Sequence, residues 1–196
     1  MKLKEKLREC DKPFLERNFL EKLLQICNLK YSVNDLIKLG HISVIKKGHL
    51  YLNNQLPYPK NPYVVGAVYM QEEEFMFWGF DRYNKEGFTT QVSNLFTIYN
   101  LKYSKELEIV WLRFQFKKVK PAYFFGKTTK NIDGYRIHYM TRERLFLEYL
   151  GEYPTYPIYY FTDIYQTLNP KLLASYAKKY SVKQMLLKLE KIQQCT

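Results

Sequence analysis

The sequence predicts an α+β fold in two domains, and three observations carry that prediction. A short capped helix beginning near Val33 runs straight into a compact basic hairpin that ends at Leu52. A connector rich in turn formers, NNQLPYPKNP, follows at residues 53–62. Beyond it, strand candidates give way to helices toward the end of the chain, the pattern of a sheet with helices packed on it.

In the first domain, residues 1–54, the charged stretch 2–9 suits a helical turn or two. Residues 14–27 form a stronger helix, with Leu15, Phe19, Leu23 and Ile26 along one stripe and Pro13 at its first position. Ser32 precedes the next apolar-periodic run and Asp35 follows three residues later, a capping-box pattern that satisfies the unpaired amide hydrogens of a new helix. Val33, Leu36 and Ile37 then share one face, leaving Asn34, Asp35 and Lys38 on the other. Gly40 suits the left-handed residue after the helix. Ile42 and Val44 alternate with polar residues, Lys46-Lys47-Gly48-His49 makes the turn, and Leu50 and Leu52 resume the alternation. Two helices, a short third helix and a lysine-tipped hairpin are the parts of a winged helix-turn-helix. In that arrangement Lys30, Tyr31, Ser32, Asn34 and Lys38 face base edges and phosphates, while Lys46, Lys47 and His49 lie against the sugar-phosphate backbone. The same residues also suit a helix and hairpin from any small α+β domain, with the lysines serving solubility.

In the second domain, residues 55–196, Asn61 and Pro62 are a good cap and first position for a helix through Met70. Three consecutive acids, Glu72, Glu73 and Glu74, point in different directions on either a helix or a strand, so they read as a solvated turn and not as a metal or acid–base cluster. Residues 75–83 are dense in aromatics and read as core. Strand candidates follow at 95–99, 108–116, 122–125 and 135–139, and 111–116 alternates least, which suggests cover on both faces. A mixed or antiparallel sheet is expected. Thr141 caps a helix through Leu150, Asn169-Pro170 opens another to about Lys179, and Ser181 caps a last one reaching Ile192.

Charge is segregated along the chain, whose total is +12. Residues 1–60 carry +6, residues 117–144 carry +6, residues 171–196 carry +5, and the rest carry −5. Basic blocks attract phosphate-rich partners at long range. The block from Lys117 to Arg144 is therefore read as a second polyanion-facing surface, made by Lys117, Lys118, Lys120, Lys127, Lys130, Arg136, Arg142 and Arg144. The helical lysines of the last block also fit a solvated face. No run of about 18 apolar residues exists and the N-terminal stretch has no apolar signal segment, so a cytosolic location is expected. Cys10, Cys27 and Cys195 have neither CxxC spacing nor an even count, and they read as ordinary thiols.

Signals for catalysis are weak. Gly126-Lys127-Thr128 resembles the end of a phosphate-binding loop, but that loop needs a glycine five residues earlier, where Pro121 stands. His41, His49 and His138 share no metal-ligand spacing. A nuclease needs paired carboxylates and a lysine on adjacent strands, which Asp133 and Glu143 do not form. No cofactor or metal is expected.

ISVIKKGHLYL, then NPYVVGAVYM and FMFWGFDRYNKEGFTTQV, then FFG at 124–126 and YRIHYMTRERLFLEYL follow one another along the chain. Together they resemble the AbiEi antitoxin and transcriptional-regulator family, the first being similar to that family's wing, the next two to the stretch after it and the last two to later elements. Gly87, Phe88, Thr90 and Gln91 are the most specific matches, joined by Glu143 and Arg144 at a helix start. The resemblance implies a winged-helix domain joined to an antitoxicity domain. It further implies an antitoxin that represses its own operon through inverted repeats in promoter DNA and opposes a nucleotidyltransferase toxin without a stable complex. A strong dimerisation helix is absent, and a monomer in free solution is expected. A nucleic-acid-processing enzyme and a protein that docks the toxin directly remain the alternatives.

Overall fold

Strand pairing, not helix propensity, sets where the described chain begins to coil. The computed structural model describes residues 14–53, 61–71, 73–180 and 183–195. The chain divides into two units, Met1–Glu72 with Glu108–Arg113, and Glu73–Leu107 with Phe114–Thr196.

In the first unit, β1 (Phe14–Glu16) precedes α1 (Arg17–Ile26) and α2 (Val33–Lys38). The hairpin β2 (Ile42–Lys46) and β3 (His49–Leu52) comes next, followed by α3 (Pro62–Met70). The strands form an antiparallel sheet in the order β1-β3-β2. Residues 14–16 are therefore a strand where the first turn of a helix was expected: Phe14 pairs with Tyr51, their rings 5.5 Å apart. Because the helix starts at Arg17 behind a paired strand, its inward stripe is Leu20 and Leu24, four residues apart. The expected stripe is out of phase with this, and Phe19 and Ile26 are 53% and 81% exposed. Leu20 and Leu24 join Val33, Leu36, Ile42, Leu50 and Leu52 in one core, with Leu15, Leu23 and Ile37 at its edge. Residues 2–9 and Pro13 lie outside the described residues.

The start of α2 follows the sequence reading. Ser32 accepts from the Asp35 amide and Asp35 accepts from the Ser32 amide, completing the box. Gly40 takes φ +69° after the helix end. The hairpin departs from simple alternation, because a bulge between Val44 and Lys46 inserts a residue. Ile42 and Ile45 are buried in consequence, and Val44 is 48% exposed. Asn61 and Pro62 open α3 as expected, with the Asn61 side chain accepting from the Tyr63 amide. This helix is apolar all round and so needs burial on every side; it packs against β2 and belongs to the first unit. The division of units thus falls after α3. Gln55, where the linker was placed, lies outside the described residues.

The second unit carries β4 (Phe75–Trp78), α4 (Phe80–Lys85), β5 (Leu95–Asn100), β8 (Lys127–Ile132) and β9 (Tyr135–Met140), with most of β6 (Lys105–Ile109) and β7 (Leu112–Lys118), whose joining end Glu108–Arg113 is counted with the first unit. Its helices α5 (Arg142–Glu152), α6 (Tyr159–Gln166), α7 (Pro170–Tyr180) and α8 (Lys183–Cys195) follow. The sheet order is β6-β7-β5-β4-β9-β8. It is mixed, with β4 and β9 parallel and β4–β5 and β8–β9 antiparallel. The expected strand at 108–116 is a hairpin, reversing at Val110 and Trp111, where φ is +51° and +63°. Trp111 is 51% exposed, so the two-sided cover expected of 111–116 is absent; β7 alternates, with Phe114 and Phe116 buried. Residues 121–123 are a short 3-10 turn in place of part of the strand expected at 122–125. Strand β8, KTTKNI, has almost no apolar residue because it lies at the sheet's edge, and α6 likewise had no expected counterpart.

A buried ion pair organises the helical side of this unit. Arg144 is fully buried, its guanidinium carbon 3.8 Å from the Phe125 ring centroid and 4.1 Å from that of Tyr180, two rings set edge to face, and it donates to Glu148 at 2.6 Å. Its Nε and Nη1 have no hydrogen-bond partner. Burial pushes the phenols of Tyr99 and Tyr180 up, with the nearby Glu148 carboxylate adding to it. Gly126 is required beside the pair, since a Cβ there would stand 2.9 Å from the Arg144 Cβ and 3.2 Å from the Tyr176 ring. Glu73 and Glu74 form ion pairs with Lys102 and Lys127, in keeping with a solvated turn.

Chemical denaturation checks both cores. Leu36→Ala is expected to cost about 2–5 kcal/mol, while Ile26→Ala on the exposed stripe stays within about 0.5 kcal/mol. Arg144→Ala strands the Glu148 carboxylate and is expected to cost about 3–5 kcal/mol, whereas Arg144→Met with Glu148→Leu recovers most of it.

Candidate nucleic-acid interface

The segment from Lys30 to Lys38, which includes α2, and the β2–β3 turn carry the cationic and amide groups singled out in the sequence for this unit. Lys30, Tyr31, Asn34, Lys38 and Lys47 are exposed, and Lys46 and His49 are half-buried at the ends of the two strands. The turn between the strands holds Gly48 at φ +84°, and the carbonyl of Gly48 accepts from the Arg17 amide at 2.8 Å. That bond ties the hairpin tip to the start of α1.

Arg17 also reaches α2. Its Nη2 donates to Asn34 Oδ1 and its Nε to Glu21, each at 2.9 Å. The pair with Glu21 is at the surface and adds little stability, about 0.3–0.5 kcal/mol. The consequence for the site is geometric. With Oδ1 engaged, the Asn34 amide NH₂ is left to donate outward, which suits acceptors such as a phosphate oxygen or the O6 and N7 of guanine. Sequence reading passed over Arg17 because it placed this residue inside a longer helix; its spacing from Asn34 and Gly48 carries no local signal.

Ser32 is committed to the cap. Its hydroxyl donates to Asp35 Oδ2 at 2.7 Å and accepts from the Asp35 amide at 3.2 Å, so it positions the helix rather than presenting a free hydroxyl. These bonds hold the Asp35 carboxyl below the usual carboxylate range. The folded value is depressed, so the cap's contribution is complete above the unfolded value near 3.8 and is lost as pH falls through the folded one.

The second cluster of cations does not assemble into one surface. Arg144 is in the core, as described above, so it is removed from the expected basic face. Arg142 donates to the Glu86 carbonyl at 3.2 Å and its Nε lies 3.9 Å from the Glu86 carboxylate. Lys127 pairs with Glu74 at 3.0 Å, and the Lys117 ammonium lies 4.9 Å from the Trp78 ring centroid. Lys118, Lys120, Lys130 and Arg136 are exposed. Register separates the last two: Lys130 stands opposite Ile137 and Arg136 opposite Asn131, so their side chains leave opposite faces of the β8–β9 hairpin.

Residues weighed for catalysis are occupied structurally. Asp133 sits in the β8–β9 turn at φ +51°, and Glu143 accepts from the Asn169 amide at 3.1 Å ahead of α7. Gly126 precedes a strand, not the helix that a phosphate-binding loop requires. His138 lies 2.8 Å from Thr129 Oγ1, and burial lowers its pKa. No group of three or more potential metal ligands occurs among the described residues. No helix among them is long and apolar enough to cross a membrane.

No family model matches this chain. No curated protein matches it either. Among solved structures it is similar to that of the RV2827C protein from Mycobacterium tuberculosis, with a TM-score of 0.66 at 10% identity, covering 97% of this chain and 74% of that one. At this identity the likeness is one of fold.

Proposed function

We propose that the first unit is a winged helix-turn-helix that reads promoter DNA, and that the chain is the antitoxin and autorepressor of a toxin–antitoxin, abortive-infection operon. The observation that carries the DNA-reading part is the tie made by Arg17: one residue joins the lysine-tipped hairpin to the helix that exposes Asn34. A wing and a recognition helix must be held in fixed relation to meet backbone and base edges together. Asn34 and Lys38, with Lys30 and Tyr31 ahead of the helix, then face the major groove, and Lys47 meets the phosphates. Ser32 sets the helix start instead of contacting DNA.

The antitoxin part rests on the AbiEi resemblance. In this reading the chain acts in the cytoplasm without a catalytic role of its own, and it opposes a nucleotidyltransferase toxin without forming a stable complex. It is a monomer when free, and two copies occupy the arms of an inverted repeat. A docking role for the second unit is the other reading that an observation favours. Tyr156, Tyr159 and Tyr160 are 39%, 65% and 56% exposed, and rings continue from them through Tyr153 to the core.

Binding to DNA from the protein's own promoter checks the first part. Lys47→Glu is expected to lower affinity about tenfold for every sequence and to reduce the salt slope by about one. Asn34→Ala is expected to relax base preference by about 1–3 kcal/mol at one position of each half-site, and Arg17→Ala to weaken the same position without loss of fold. Equal losses on all sequences for Asn34→Ala would remove base reading from α2. Co-expression with the adjacent gene checks the second part: growth should be restored without co-purification of the toxin, whereas a stable complex would favour the docking reading.

A further inference from the structure

The first unit holds a shallow pocket of about 480 Å³, largely open to solvent, that the proposed DNA-reading residues do not line. Ile37, Val44 and Trp111 are among its apolar lining residues, and Glu108 lines it as well. Its polar side is already fixed, because Ser43 Oγ donates to Asn53 Oδ1 at 2.8 Å and Asn53 Nδ2 donates to the Gly40 carbonyl at 2.9 Å. All these residues belong to the same unit.

The turn that presents Trp111 is an unusual one. Val110 and Trp111 both occupy the left-handed region, at φ +51° and +63°, which a β-branched residue resists. The β8–β9 turn makes a similar reversal with Asp133 and Gly134, at φ +51° and +82°, using residues that tolerate it. A reversal alone therefore does not call for Val-Trp. The turn accepts strain and sets an indole, 51% exposed, in the lining of this pocket. Among the described residues no ring or cation packs on Trp111 and no cation pairs with Glu108, in a chain with 31 Lys and Arg against 19 acids. An exposed indole and a carboxylate without a cation partner in the lining of one pocket attract the same kind of guest. The ring's quadrupole and the carboxylate both favour positive charge, and the apolar lining favours a flat body.

We propose that this pocket is a binding site for a small, flat organic cation that stacks on Trp111 and directs its charge to Glu108. Intrinsic fluorescence of the full chain tests this, with 1-methylnicotinamide as the cationic probe and nicotinamide as its neutral counterpart. The chain has two tryptophans, and Trp78 is 5% exposed, so quenching by a dissolved ring reports mainly on Trp111. Saturable quenching is expected with 1-methylnicotinamide, at an affinity about tenfold above that for nicotinamide. Glu108→Gln should remove that tenfold preference and leave the nicotinamide response unchanged. Calorimetry on Trp111→Leu, with circular dichroism confirming its fold, should show loss of binding for the cation. Linear, non-saturating quenching by both probes would overturn the proposal, as would an undiminished preference for the cation in Glu108→Gln.

Discussion

The hydrogen bonds of Arg17 are the constraint on which the candidate interface depends. Its amide holds the Gly48 carbonyl at the hairpin tip, and its guanidinium holds Glu21 one turn along α1 and Asn34 on α2. These bonds are individually modest in water, since each replaces a bond to solvent. Their effect is to restrict relative motion of elements that the core beneath has already assembled. Leu20 and Leu24 from α1, Leu36 from α2 and Leu50 and Leu52 from β3 supply the burial, and Arg17 closes the arrangement on its solvent side. The bulge in β2 belongs to the same arrangement, since it lets both Ile42 and Ile45 turn inward from a short strand.

A different balance holds the second unit. Arg144 and Glu148 are one helical turn apart on α5, and both are buried, with the Phe125 and Tyr180 rings packed on the guanidinium. Desolvation offsets much of the attraction in such a pair, so the pair itself adds little net stability while breaking it is costly. Gly126 lets the chain pass close to Arg144, and its carbonyl accepts from the Thr141 amide at 2.7 Å at the start of the same helix.

Features encoded by neighbours in sequence were legible before the structure. The Ser32–Asp35 box, Gly40, the Asn61-Pro62 start, Thr141 and the Lys47-Gly48 turn are local signals, and each appears where the residues place it. Features set by distant partners were not. Pairing of Phe14 with Tyr51 delayed α1 and rotated its buried stripe, and an edge position allowed β8 to form from polar residues. The reversal at Val110-Trp111 defeats turn prediction because neither residue favours a positive φ. Of the candidate site, the cations and Asn34 were legible from composition and helical phase. Arg17 was not, and Arg144 was misplaced because an arginine at a helix start ordinarily faces water while this one is enclosed by aromatic rings distant in sequence.

The measurement that bears most directly on the proposed DNA reader is fluorescence anisotropy of the full chain with the duplex upstream of its own gene, beside a scrambled duplex, across a salt series. A sequence-reading winged helix predicts a preference of about a thousandfold or more for the promoter, and affinities for both duplexes that fall steeply as salt rises. Weak binding of equal strength to the two duplexes would contradict the account.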